Sequence, residues 1–167
     1  MVVQWLAVGV LHRSIEGDAT MQQQTTIVWL KIGSALVIVF GLVTALGANP
    51  PTAGLLAFLV DMIKRPVDGA QTIATEEFHL LSAVSGGVMV GWGLLLWLVA
   101  VQLYGRDPQL ASSMIMTSVG AWFVIDSLAS ILAGSSLNAI LNTSFLVLFF
   151  APLMGRRSAG LAEEGKH

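Results

Sequence analysis

The chain has 167 residues, of which 55% are hydrophobic and 11% charged, against about 25% charged in an ordinary soluble domain. Eight Lys and Arg against ten Asp and Glu leave a formal net charge of −2, which offers no basic field for nucleic acid. The absence of cysteine excludes disulfides, thiolate metal sites and a cysteine nucleophile. What remains is one small membrane domain.

Residues 1–11 (MVVQWLAVGVL) are apolar but too short to span a bilayer, and neither a basic leader nor an A-x-A cleavage site marks a signal peptide. Two readings of the N-terminal segment 1–25 stand side by side. It is a surface-lying element, or it is an overextended start, with Met21 and the polar residues Gln22 to Thr26 leading into the first span.

Four long apolar segments follow, at about 26–46, 78–104, 112–133 and 137–153. Backbone amides in lipid must be satisfied within a helix or a closed barrel, and the alternating pattern of barrel strands is absent. The expected fold is therefore all-α: a four-helix transmembrane bundle over 26–155, with a flexible cytoplasmic tail at 156–167. The breaks agree with this reading. Gly47 to Pro51 ends the first segment, Gly105-Arg106-Asp107-Pro108 separates the second from the third, and Gly134-Ser135-Ser136 makes a tight hairpin. Pro152 is expected to end or kink the last helix.

Loop charges set an orientation. Arg13, Lys31, Arg106, Arg156, Arg157 and Lys166 fall on one side of a four-span chain, against Lys64 and Arg65 on the other. The positive-inside bias places both termini in the cytoplasm of a bacterial inner membrane and the long first loop outside. That loop carries a helix of its own. Thr52 is expected to cap it, and it runs through Arg65 to the stop at Pro66 and a turn at Asp68-Gly69. Asp61, Lys64 and Arg65 share one face, while Leu55, Leu56, Phe58, Leu59, Met62 and Ile63 occupy much of the rest, which suits an interfacial helix.

Glu76 and His79 open the next helix with the Glu-x-x-His spacing of di-metal carboxylate bundles. No second such pair occurs, so they are weak metal candidates, and a helix-capping role for the glutamates is favoured. No cofactor is expected. Farther along, Ala83, Gly87 and Gly91 form a small-residue ridge at four-residue spacing, suited to close helix packing, with an internal neighbour preferred over a second copy.

The most informative residue is Asp126, inside the third apolar segment. A carboxylate at the centre of a spanning helix costs roughly 2.5–3.5 kcal/mol on insertion scales, so it demands an internal partner, a wet cavity or a proton. Asp126 with Ser130, and Asn138 with Asn142, are each four apart and so share a helix face. Asp126 and Asn142 each lie eight residues from Gly134, and Ser130 and Asn138 each lie four. An antiparallel hairpin turning there stacks them as two polar rungs, the deeper about 12 Å from the turn. Structural glue between the two helices is favoured over a proton relay.

The stretches Leu59-Val60-Asp61, Pro66-Val67-Asp68-Gly69, Ser85 to Gly93, Trp122 to Ser127 and Asn138 to Asn142 resemble those of small four-span membrane proteins of proteobacteria. That resemblance covers most of 25–155 and implies a helical inner-membrane protein without implying an activity. The overall plan is also similar to DoxX-like proteins, some of which are associated with quinone or redox systems, but no shared motif carries that role over.

The leading functional expectation is a non-enzymatic accessory subunit. Its partners are the lipid bilayer and other membrane-protein subunits or a second copy, with no nucleic acid. The alternatives are a small transporter or proton-linked channel subunit using Asp126, and a metal- or quinone-linked membrane enzyme using Glu76 and His79.

Overall fold

The computed structural model describes the backbone of residues 2–64, 67, 69 and 75–164, and the burial of side chains between 17 and 154 except at 18 and in the 65–74 loop, where only 67 and 69 are described. The elements are α1 (Val2–Leu46), a 3-10 turn (Pro50–Thr52), α2 (Gly54–Lys64), α3 (Glu76–Leu98) continued by a π-helical segment (Val99–Leu103), α4 (Pro108–Leu132) and α5 (Ser136–Glu164). The fold is all-α. Four stretches are long and apolar enough to cross a membrane: Ala19–Leu46, Glu76–Leu103, Pro108–Leu132 and Ser136–Met154. Their outer surface is apolar as well. Leu132, Ile125, Val88, Leu80 and Ile140 all lie open, which a hydrocarbon surround satisfies and water does not.

Local chemistry explains the boundaries. Thr75 caps α3 by accepting from the Phe78 amide at 3.3 Å, and Asp107 caps α4 by accepting from the Leu110 amide at 2.9 Å, with Pro108 in the first turn. At the other end of α4, Gly134 adopts φ 71°. Its amide donates to the Ile131 carbonyl at 3.0 Å, while the Ser135 amide reaches the Ser130 carbonyl at 2.8 Å. This is a Schellman ending, which requires a left-handed residue at Gly134 and turns the chain directly into α5.

At both ends of the chain the helices run past the boundaries drawn from the sequence. The segment 1–25 is not a separate element, because α1 is continuous from Val2 to Leu46 with no proline to interrupt it. Likewise α5 passes through Pro152 and continues to Glu164, so the expected tail is helical up to that point. Proline removes one amide donor from the ladder, and good helix formers such as Arg156, Arg157, Leu161 and Ala162 resume it.

The helices form two antiparallel pairs. In the first pair, α1 packs along α3 at very short range. A Cβ added to Gly86 would fall 2.6 Å from the Gly41 carbonyl oxygen, and one on Gly93 would fall 3.0 Å from the Ile38 amide nitrogen. The close-packing glycines are therefore Gly41, Gly86 and Gly93. The ridge of Ala83, Gly87 and Gly91 is not internal: all three are exposed, and a Cβ on either glycine would meet nothing within 4 Å. The two sets sit on different faces of α3, and the face turned to α1 is the one that also buries Ser82 and Leu96.

The second pair is the α4–α5 hairpin. It joins the first through contacts of α5 with α1 and of α4 with the π-helical segment. The buried apolar core lies in the half of the bundle that holds these junctions. Leu30, Tyr104, Ala111, Ile115, Val119, Phe149 and Leu153 are each at most 2% exposed there. In the opposite half the pairs part, and α2 lies over the gap, touching α1 and α5.

The two charged groups described on α2 part company: Lys64 is exposed, while Asp61 is 3% exposed and accepts from the Gly69 amide at 3.0 Å, and the apolar Leu55 and Phe58 are 50% and 55% exposed. A helix resting on a protein surface in water shows the reverse. With hydrocarbon outside, the apolar stripe belongs outward and the polar group needs a partner within the protein. Contrary to expectation, Thr52 does not cap α2. Its hydroxyl donates to the carbonyls of Leu46 at 2.6 Å and Asn49 at 3.1 Å, serving the end of α1, because the helix begins two residues later at Gly54. The expected stop at Arg65-Pro66 and residue Asp68 of the turn lie outside the described residues.

Candidate functional site

The hairpin brings Asp126, Ser130, Asn138 and Asn142 into one hydrogen-bonded cluster. Asn142 Nδ2 donates to Asp126 Oδ2 at 2.6 Å, and Asn138 Nδ2 donates to Ser130 Oγ at 2.8 Å, so both rungs are made. Diagonal bonds tie the rungs together. Asn138 Nδ2 also reaches Asp126 Oδ2 at 3.0 Å, and Asn142 Nδ2 reaches Ser127 Oγ at 3.2 Å. Ser127 is thus a fifth member that the four-residue spacing did not single out.

Each asparagine amide carries two hydrogens, and both are used within the cluster. What is left unsaturated besides the Ser127 and Ser130 hydroxyl hydrogens is accepting capacity: the carbonyl oxygens of Asn138 and Asn142, and Oδ1 of Asp126. Among the described residues, no donor is bonded to that Oδ1, and the atom is not fully buried. Asp126 lies on the inward stripe of α4 that contains Ala111, Ile115 and Val119, while its neighbours Val124, Ile125 and Leu128 face outward.

The inward stripe opens onto a cavity of about 280 Å³ in the half of the bundle where the pairs part. Asp126, Asn138 and Asn142 form its polar end. Val37 and Phe40 of α1 and Met89 and Trp92 of α3 line one wall. Trp122 of α4 faces them with Leu141, Phe145 and Phe149 of α5, and Ser144 lies at the margin. Leu59, Met62 and Ile63 of α2 cover the space. Where α2 meets the α4–α5 turn, Lys64 Nζ donates to the Ala133 carbonyl at 3.2 Å, at the negative end of the α4 dipole.

Three rings organise the aromatic wall. Trp92 and Trp122 lie with centroids 5.6 Å apart at 43°, and Trp122 meets Phe145 edge-on at 6.2 Å. Trp92 Nε1 donates to Ser118 Oγ at 2.7 Å, which fixes the indole across the gap between α3 and α4. The sequence contained a signal for part of this wall, because Trp122, Asp126 and Ser130 are spaced four apart and share a face. Trp97, by contrast, lies away from the cavity, beneath Lys31 Nζ at 5.0 Å from the ring centroid.

Glu76 and His79 sit in the first turn of α3, exposed and half-buried respectively. Among the described residues, no three His, Cys, Asp or Glu side chains are grouped to hold a metal. No family model, curated protein or solved structure matches the chain, so the reading of the cavity rests on its own residues.

Proposed function

We propose that this chain is a small multi-pass protein of a bacterial plasma membrane that binds a solute in the cavity between its helix pairs, as a carrier or transport component, with Asp126 as the recognition group. One observation carries the reading: a carboxyl group within an apolar bundle keeps an unsatisfied oxygen beside a cavity of about 280 Å³. Hydrogen bonds that only fix a hairpin need no adjoining space, and an intramembrane acid beside a cavity is a ligand or ion site by default. The charge bias of the loops supports cytoplasmic termini, which puts α2 on the external side, over the mouth of the cavity.

The test is modification by a hydrophobic carbodiimide of the protein reconstituted in liposomes. A single adduct on the Asp126 peptide, absent from Asp126→Asn, is expected in the mass spectrum. An unmodified Asp126 in folded protein would leave the cluster as structural glue. A second reading, an accessory subunit packed on another membrane protein, is favoured by the outward ridge of Ala83, Gly87 and Gly91, since small residues let backbones approach. Co-purification in mild detergent, lost on Gly87→Leu, tests it.

A further inference from the structure

The chemistry of the cavity narrows what it can hold, given the solute-binding reading on which this step rests. Its polar end accepts and scarcely donates. All four amide hydrogens of Asn138 and Asn142 are spent inside the cluster, the serine hydroxyls that accept them, Ser127 and Ser130, are not in the lining, and the groups that face the cavity are Asp126 Oδ1 and the two amide carbonyls. Away from that end the lining adds the Ser144 hydroxyl at the margin and two indole N–H groups, of which Trp92 Nε1 is engaged with Ser118 and Trp122 Nε1 is a donor on the aromatic wall. A ligand that satisfies this end must bring hydrogens. A carboxylate or phosphate brings none and would face Asp126 directly.

Charge leads to the same class. Among the described residues, the cavity lining contains no Lys, Arg or His, and Lys64, on the helix that covers it, is engaged with the Ala133 carbonyl. A cation is one partner that offsets the cost of a carboxylate in an apolar bundle. Here the lining leaves that position to the occupant. The walls favour the same occupant, because Trp92, Trp122 and Phe145 line the space, and aromatic side chains suit both a cation and the hydrocarbon attached to it.

Size sets the scale. A dry cavity of about 150 Å³ holds benzene, so a space near 280 Å³ takes roughly a dozen non-hydrogen atoms. We infer that the cavity binds a lipophilic primary ammonium compound of about this size, with its three N–H donors matched to Asp126 Oδ1 and the Asn138 and Asn142 carbonyls and its hydrocarbon part among Trp92, Trp122 and Phe145.

Three probes of one shape test this: phenylbutylamine, phenylbutanol and phenylbutyrate. Binding of tritiated phenylbutylamine to the full chain in phosphatidylcholine nanodiscs is measured against empty discs, with the other two as competitors. Saturable amine binding is expected, with phenylbutanol at least about tenfold weaker, as loss of a charge-assisted hydrogen bond implies, and phenylbutyrate without effect. Asp126→Asn should weaken the amine by a similar factor and so abolish its preference over the alcohol.

Equal competition by phenylbutanol, or an unchanged amine affinity in folded Asp126→Asn, overturns the ammonium inference and leaves a solute site of other chemistry. Absence of saturable binding by all three to folded wild type overturns the inference. The carbodiimide adduct then separately decides whether the site itself stands. Should Asp126→Asn fail to fold, the wild-type competition series decides alone.

Discussion

Asn142 donates its amide to Asp126 Oδ2 at 2.6 Å across the α4–α5 hairpin, and the two residues are equally distant in sequence from the turn at Gly134. Asn142 is 5% exposed, so its loss removes a buried partner rather than a surface contact. A double-mutant cycle of Asp126→Ala and Asn142→Ala, read by unfolding in detergent, should give a coupling of about 0.6 kcal/mol and at most about 1.7, the average and maximum found for hydrogen bonds between membrane helices. Additive effects would show that the contact contributes nothing to holding the hairpin.

Gly86→Leu and Gly93→Leu should destabilise the fold by about 3 kcal/mol or prevent accumulation, because each side chain would enter the α1 backbone. Gly87→Leu and Gly91→Leu should leave thermal stability nearly unchanged, since open space surrounds both positions. Equal losses from the two sets would mean that the face of α3 turned to α1 is misassigned.

Gly134→Ala isolates a backbone effect. A Cβ there meets nothing within 4 Å, yet φ is 71°, so a loss of about 1 kcal/mol is expected from conformation alone. An unchanged melting temperature would argue against the Schellman ending of α4.

Spin labels along α2 report which face meets lipid. Labels at Leu55 and Phe58 should be readily relaxed by dissolved oxygen and poorly by a water-soluble nickel chelate, and a label at Asp61 should be shielded from both. Preferential access of the chelate to positions 55 and 58 would return α2 to a water-facing role.

Topology reporters at the two termini should both read cytoplasmic, and one placed at the Gly134 turn should read external. Opposite locations for the termini are incompatible with four spans.

Much of the architecture was legible because lipid leaves the backbone few choices. Apolar length, the Gly134 turn and Asp107-Pro108 sufficed for four helices and their ends, since an unpaired amide in hydrocarbon forces helix over every stretch long enough to span. The depth matching of Asp126 with Asn142 and of Ser130 with Asn138 followed from the helix rise and one tight turn, both local quantities. By contrast, Pro152 reads as an end or a kink, and the continued helix on both sides of it, to Glu164, excludes the end.

Which face of a helix turns inward was decided by the tertiary structure. In water, polarity marks the outer face. In lipid both faces of α3 are apolar, so nothing in its composition separates Gly86 and Gly93 from Gly87 and Gly91, and backbone approach to α1 chose between them. In α2 the same lack of an aqueous exterior turned Asp61 inward and Leu55 and Phe58 outward. The cavity was the least legible feature, because it is the space left where two helix pairs part, and its walls come from all five helices. Residue types and spacing determined that Asp126 needs a partner; the separation of the helix pairs decided that its second oxygen meets a space rather than another side chain.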